Sequence, residues 1–332
     1  MNIAVLGGGA WGTVLASVAA ARAHDVALWE FDAQDAAALA RERATTRTVR
    51  GFRLPESIAV TNDVAAATRG RELVIVVVPS ENVRPTLEAA RASIEPGHVV
   101  VCASKGLEPE TRLTMAGVIT AVVPHARVAL LSGPSFAQEI AAGLPAALVT
   151  ASTDPRANEA VVAALGGERF RLYTSDDVTG VAIGGALKNV IAIAVGCSDG
   201  FGFGLNARAA LMTRGLAEMG RLAVRLGAHP LTLAGLAGFG DLVLTCTGEL
   251  SRNRQVGLAL ARGEALPQIL ASLGHVAEGI GTARTARALA AELGVELPIT
   301  HAVAAVLYEG KTARAAVTEL LQRDVGSERG GA

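Results

Sequence analysis

The strongest constraint on what this chain can fold into is a change of rhythm near Asp177. Before it, eight short runs rich in β-branched and aliphatic residues, NIAVLG, DVALWE, SIAVT, ELVIVVVP, HVVVCAS, RVALLSG, AALVTAS and FRLYTS, are mostly separated by stretches with helical spacing, such as GTVLASVAAARA, ENVRPTLEAARASI and RANEAVVAALGG. Strands alternating with helices are the signature of parallel βαβ units, and the almost wholly apolar run at 72–79 reads as a strand covered on both faces. After Asp177 the strand signals stop. VTGVAIGGALKN, NARAALMTRGLAEMGRLAVRLG, RNRQVGLALARG, GTARTARALAAELG, THAVAAVLYEG and ARAAVTELLQR keep apolar residues at helical spacing, with Gly or Pro between them. The pattern predicts an α/β protein with a doubly wound sheet over residues 1–177 and an all-helical domain over 178–323. The polar, glycine-rich tail 324–332 is expected to be disordered.

Composition supports two domains. The 332 residues are 51% hydrophobic but only 3% aromatic, so small aliphatic residues and glycine do the packing. A net charge of -1, with Lys and Arg spread along the chain, gives no basic field for nucleic acid or an anionic membrane. Cys102, Cys197 and Cys246 have no C-x-x-C spacing and the six histidines form no ligand pattern, so no metal is expected and reduced thiols are the default. The N-terminus lacks the basic region of a signal peptide, and no stretch reads as an uninterrupted membrane span. A cytoplasmic protein with no stable membrane insertion is the expectation.

Gly7, Gly9 and Gly12 form G-x-G-x-x-G between the first strand and the first helix, and Glu30 ends the second strand eighteen residues later. Such glycines allow a tight turn, close approach of a pyrophosphate and helix-sheet packing, while the acid can accept hydrogen bonds from an adenosine ribose. The first domain is therefore expected to be a Rossmann-type dinucleotide fold. Lys105, Gly133 and Ser135 lie just past later strand ends, where open sheets bind ligands. Asp241 precedes Ser251, Arg252 and Asn253, which open a helix and offer amide, guanidinium and carboxamide donors to an anion such as phosphate. Lys188 stands in the small and aliphatic run GGALKNVIAIAVG. Its helical neighbours Gly184, Gly185, Ile191 and Ala192 cannot pair with it. An isolated lysine of this kind usually snorkels from an exposed edge; a buried one needs a partner or loses its proton.

Taken together, GGGAWGT, ASKGLE, LSGPSFAQE, GGALKNVIAIAVGCSDGFGFGLNARAALMTRGLAEM, GFGDLVLTCT and SRNRQVG resemble the ordered signature of bacterial NAD(P)-dependent glycerol-3-phosphate dehydrogenases, from the first strand to about Arg323. The resemblance implies reversible reduction of dihydroxyacetone phosphate to sn-glycerol 3-phosphate, supplying glycerophospholipid synthesis, and a homodimer. It implies that Lys188 is catalytic, and that Lys105, Gly133, Ser135, Asp241, Ser251, Arg252 and Asn253 surround the substrate. Ala10, Trp11, Phe31, Lys105, Ala137, Arg252, Val276 and Glu278 match positions that touch the nucleotide.

The chain departs from the family at Thr48, Val49, Arg50 and Gly51, where relatives usually have Tyr-Leu-Pro-Gly. It also departs at Ala182, often Glu, and at Glu30 and Phe31, where Arg or His often follows the second strand. A carboxylate at position 30 would repel a ribose phosphate, which points to NADH over NADPH, with Arg47 or Arg50 able to oppose that by swinging over the site. Lys188 would serve as general acid with Asp241 orienting it, Lys105 would stabilise charge on the reacting oxygen, and Gly184 and Gly185 would leave room for the ligands. Two other functions fit the same outline. A reductase of ketopantoate or a 3-hydroxy acid would need no phosphate grip, and a non-catalytic nucleotide sensor would need neither Lys188 nor Asp241.

Overall fold

The computed structural model describes residues 1–45, 47–273 and 277–322. All eight expected strands form: β1 (Asn2–Leu6), β2 (Asp25–Trp29), β3 (Ala59–Thr61), β4 (Leu73–Val76), β5 (Val99–Cys102), β6 (Arg127–Ser132), β7 (Ala146–Ala151) and β8 (Phe170–Ser175). They join in one sheet of order β3-β2-β1-β4-β5-β6-β7-β8. The first six run parallel, β7 is antiparallel to β6, and β8 is parallel to β7.

The sheet is thus mixed, a departure from a purely parallel reading. The link from β6 to β7 carries only the five-residue helix Ala137–Ala141, and β7 enters the sheet antiparallel to β6.

Period-2 alternation splits the sheet residues between two cores. Ala4 and Leu6 of β1 join Val74, Val76, Val100 and Cys102 on one face, while Ile3 and Val5 join Leu73, Ile75, Val99 and Val101 on the other. Helices cover both faces, including Ala10–Ala20 and Pro155–Leu165 on the second.

The helical domain gathers around the 23-residue helix Val178–Gly200. Asp177 caps it by accepting from the Gly180 amide at 2.8 Å, and its other oxygen accepts from the His229 amide at 2.9 Å. By length and composition this helix is apolar enough to cross a membrane, contrary to the expectation that no segment was; it is the buried core helix of the domain, with 83% of its most apolar window inside the protein. Small residues let its neighbours approach closely. A Cβ on Gly196 would lie 2.2 Å from the carbonyl oxygen of Arg254, and one on Gly257 would lie 2.1 Å from that of Ile193.

The expected helices all form within the described residues, and the helical domain adds the α-helices Asp241–Thr247 and Leu266–Leu273. The tail 324–332 lies outside the described residues.

Candidate active site

The glycine turn follows β1 at the carboxyl edge of the parallel strands. Gly7 has φ +131°, a conformation open to glycine, and a Cβ on Gly12 would strike the Gly7 carbonyl oxygen at 1.8 Å. Gly9, by contrast, faces open space, and no side chain caps the helix that begins at Ala10. That leaves the first amides of an eleven-residue helix available to an anion, with the helix dipole favouring it. These residues fit the pyrophosphate of a nicotinamide dinucleotide.

Glu30 ends the strand beside the turn, as expected, but its carboxylate is not free. It is buried, with one oxygen accepting from the Gly8 amide at 3.0 Å and the other from the Asp32 amide at 3.3 Å and the Arg47 guanidinium at 2.9 Å. Phe31 is 80% exposed, edge-on to Trp29, with its ring available for stacking. Trp11, half-buried, leans on Phe170 at 6.4 Å between ring centres. Ala137 opens the short helix after β6, half-buried. Glu278 opens the helix Glu278–Leu293 and accepts from the Ser80 amide at 3.1 Å and its hydroxyl at 2.5 Å, tying the helical domain to the loop after β4. Burial pushes the Glu278 carboxyl above its ordinary range. Val276 lies outside the described residues.

At the seam between the domains, Lys188 finds the partner its own helix cannot supply. Its Nζ donates to Asp241 Oδ1 at 2.6 Å and to the Thr245 hydroxyl at 2.8 Å. Lys105 Nζ donates to the other Asp241 oxygen at 2.6 Å and to the Gly133 carbonyl at 3.0 Å. One buried carboxylate therefore bridges two ammonium groups. Burial lowers the Lys188 pKa from 10.5 to about 8; Asp241 holds it up, and Lys105 pushes it down. Burial alone would raise Asp241, but the two lysines outweigh it and keep the acid ionised.

Local structure places Asp241. It follows a π-helical turn, Leu236–Gly240, that packs on the core helix. Gly184 permits that contact, since a Cβ there would lie 2.6 Å from the Ala237 carbonyl oxygen. A Cβ on Gly185 would lie 3.0 Å from Ser132 Oγ and 3.4 Å from the Lys105 stem. Gly184 is thus taken up by packing against the turn, whereas Gly185 lines a small cavity beside Lys105.

Among the anion-binding candidates, Arg252 is open to solvent and has no hydrogen bond or ion pair among the described residues. Desolvation by the surrounding protein lowers its pKa, while Glu278 opposes that shift. Ser251 is buried and caps its helix by accepting from the Arg254 amide at 3.2 Å. Asn253, also buried, donates to Asn189 Oδ1 at 2.9 Å and accepts from the Gly279 amide at 3.0 Å. Gly133 is buried, and its carbonyl also accepts from the Ser135 hydroxyl at 2.9 Å. Ala182 is half-buried against the sheet core.

Two neighbours escape a reading of the sequence alone. Thr245 could have been found one helical turn after Asp241; Ser132, whose buried hydroxyl has no partner among the described residues and lines a small cavity with Lys105 and Gly185, carried no signal.

A dinucleotide cradle at the strand ends, facing a lysine that can exchange a proton near neutral pH, is the working arrangement of a two-domain nicotinamide-dependent oxidoreductase. Within that class the comparisons are specific. Residues 2–158 match the N-terminal and residues 177–318 the C-terminal model of NAD-dependent glycerol-3-phosphate dehydrogenase. Proteins named glycerol-3-phosphate dehydrogenase [NAD(P)+] are 50% identical over 331 residues in Anaeromyxobacter dehalogenans, covering 99% of this chain and 100% of the relative, and 49% identical over 332 residues in Geobacter metallireducens, covering 99% of each. The crystal structure of glycerol-3-phosphate dehydrogenase from Coxiella burnetii superposes with a TM-score of 0.94 at 39% identity, covering 97% of this chain and 99% of that one. The chain belongs to the NAD-dependent glycerol-3-phosphate dehydrogenase family.

Proposed function

We propose that the chain reduces dihydroxyacetone phosphate to sn-glycerol 3-phosphate, reversibly, with NADH or NADPH, and so supplies glycerophospholipid synthesis. The observation that carries this reading is the Lys188, Asp241 and Lys105 cluster at the seam. When bound, the nicotinamide supplies the hydride that reaches C2 of the substrate.

Lys188 donates the proton to the carbonyl oxygen and takes it back in the reverse direction; its pKa of about 8 suits both roles. Asp241 holds Lys188 in place and keeps it charged. Lys105 stabilises negative charge developing on the same oxygen. Arg252 grips the phosphate, with Ser251 and Asn253 at the same helix start fixing its approach, so that remote binding energy positions the reacting carbon. Gly133 and Ser135 shape the wall beside Lys105. Gly7, Gly9, Ala10 and Gly12 hold the dinucleotide, with Trp11, Phe31, Ala137 and Glu278 around it.

Residues 1–177 would carry the nucleotide and 178–323 the substrate and the proton chemistry. A cytoplasmic homodimer is part of the same proposal and rests on the family resemblance. The Arg252 guanidinium, which has no hydrogen bond or ion pair among the described residues, favours a phosphorylated substrate over ketopantoate or a 3-hydroxy acid.

The test is loss of nicotinamide absorbance with dihydroxyacetone phosphate, using dihydroxyacetone as control. Rapid oxidation with the phosphate ester alone supports the reading; equal rates with both, or none with either, overturn it.

A further inference from the structure

We infer that Arg47, and not Glu30, reads the 2′ position of the adenosine ribose, and that it does so by binding the 2′-phosphate of NADPH. The inference rests on the proposed function only in requiring a nicotinamide dinucleotide on the turn Gly7 to Gly12. In such a fold the acid ending the second strand marks where the ribose 2′ group lies, and a nearby arginine accommodates a 2′-phosphate. Here both oxygens of that acid are already used by the protein, one of them by the Gly8 amide of the glycine turn itself. Glu30 thereby serves as an anchor for the turn.

Arg47 stands on the marked position. One nitrogen, Nη1, contacts Glu30 at 2.9 Å and Asp35 at 3.2 Å. Nε and Nη2 have no partner among the described residues, and the side chain is 42% exposed. Two carboxylates therefore hold the guanidinium by one corner and leave the rest of its donor fork free, the geometry that grips phosphate through two bonds.

The loop carrying it is anchored on both sides. The buried Arg43 guanidinium donates to the carbonyls of Leu54 at 3.3 Å, Ile58 at 2.9 Å and Pro55. Thr45 and Thr48 bond each other across the turn, the amide of Thr45 donating at 3.1 Å and the hydroxyl of Thr48 at 2.7 Å. Asp32, the other acid nearby, is committed to capping the next helix through the Gln34 and Asp35 amides.

The test is fluorescence titration of the full chain and two variants with NADPH, NADH and 2′,5′-ADP. Arg47→Gln should weaken NADPH and 2′,5′-ADP by about tenfold to a hundredfold, the range of a lost charge-assisted hydrogen bond, and leave NADH within about threefold. Asp35→Asn, which removes a competitor for the same guanidinium, should tighten NADPH and not NADH. Preserved NADH binding also reports that each variant is folded. Equal weakening of both nucleotides by Arg47→Gln, or unchanged NADPH binding, overturns the inference and leaves the proposed function standing. A parent chain that binds neither nucleotide overturns both.

Discussion

Replacing Asp241 with asparagine isolates the electrostatics of the lysine pair, because volume and one acceptor oxygen are kept and only the charge goes. At about 3 Å and an effective dielectric near 20, the gross attraction between Lys188 and Asp241 is roughly 5 kcal/mol. The carboxamide recovers part of this, so we take about 3 kcal/mol, the low end for breaking a buried pair, which equals about two pKa units. Lys188 should then fall from about 8 to about two units lower, and Lys105, deprived of the same counter-charge, pushes in the same direction.

Reduction needs the protonated lysine, which is fully present below its pKa and lost as pH rises through it. In the parent chain kcat/KM for dihydroxyacetone phosphate should decline above pH about 8, and in Asp241→Asn above pH about 6. At pH 7 protonation alone then costs the variant about tenfold. Oxidation of glycerol 3-phosphate needs the neutral lysine and should reach its plateau at lower pH in the variant. The assay is a pair of pH-rate profiles at fixed ionic strength. A descending limb in the same place for both proteins refutes the assignment of Lys188 as the titrating acid.

Three further outcomes follow from the same geometry. Lys188→Ala should lose about a hundredfold to ten-thousandfold in kcat while still binding reduced nucleotide, because Asp241 keeps Lys105 as counter-charge; stopped-flow turnover and nucleotide fluorescence separate the two effects. Arg252→Ala should raise KM for dihydroxyacetone phosphate by about tenfold to a hundredfold and hardly change any activity on dihydroxyacetone, measured side by side. Gly184→Ala should lower the melting temperature and the turnover together, since its Cβ would meet the Ala237 carbonyl oxygen at 2.6 Å and shift the turn that carries Asp241; a native melting curve would show that the contact gives way freely.

Much of the fold was legible because each layer writes its own period into the chain. Strands covered on both faces read as apolar runs, and the loss of that signal after Asp177 marks the start of the helical domain. Strand direction was less legible, since an apolar run such as AALVTAS reads alike whether it pairs parallel or antiparallel. For the site, sequence placed Lys188 in apolar surroundings and Glu30 at a strand end, both observed. The family resemblance, and not helical spacing, paired Asp241 with Lys188 across 53 residues and brought Arg47 near Glu30, whereas the hold of the Gly8 amide on Glu30 carried no signal. A one-dimensional pattern carries the neighbours on an element and says little about those that folding brings from elsewhere. Gly184 shows the converse, where a residue compatible with an open pocket is required by tight packing.

The core helix Val178–Gly200 also bears on how the molecule unfolds. Buried on nearly every side and mostly apolar, it presses its own domain and touches β6 and β7. Neither domain can shed the other without wetting that surface. The protein should therefore melt in one cooperative transition, and a chain cut between β8 and this helix should give two fragments that precipitate apart and are rescued when refolded together.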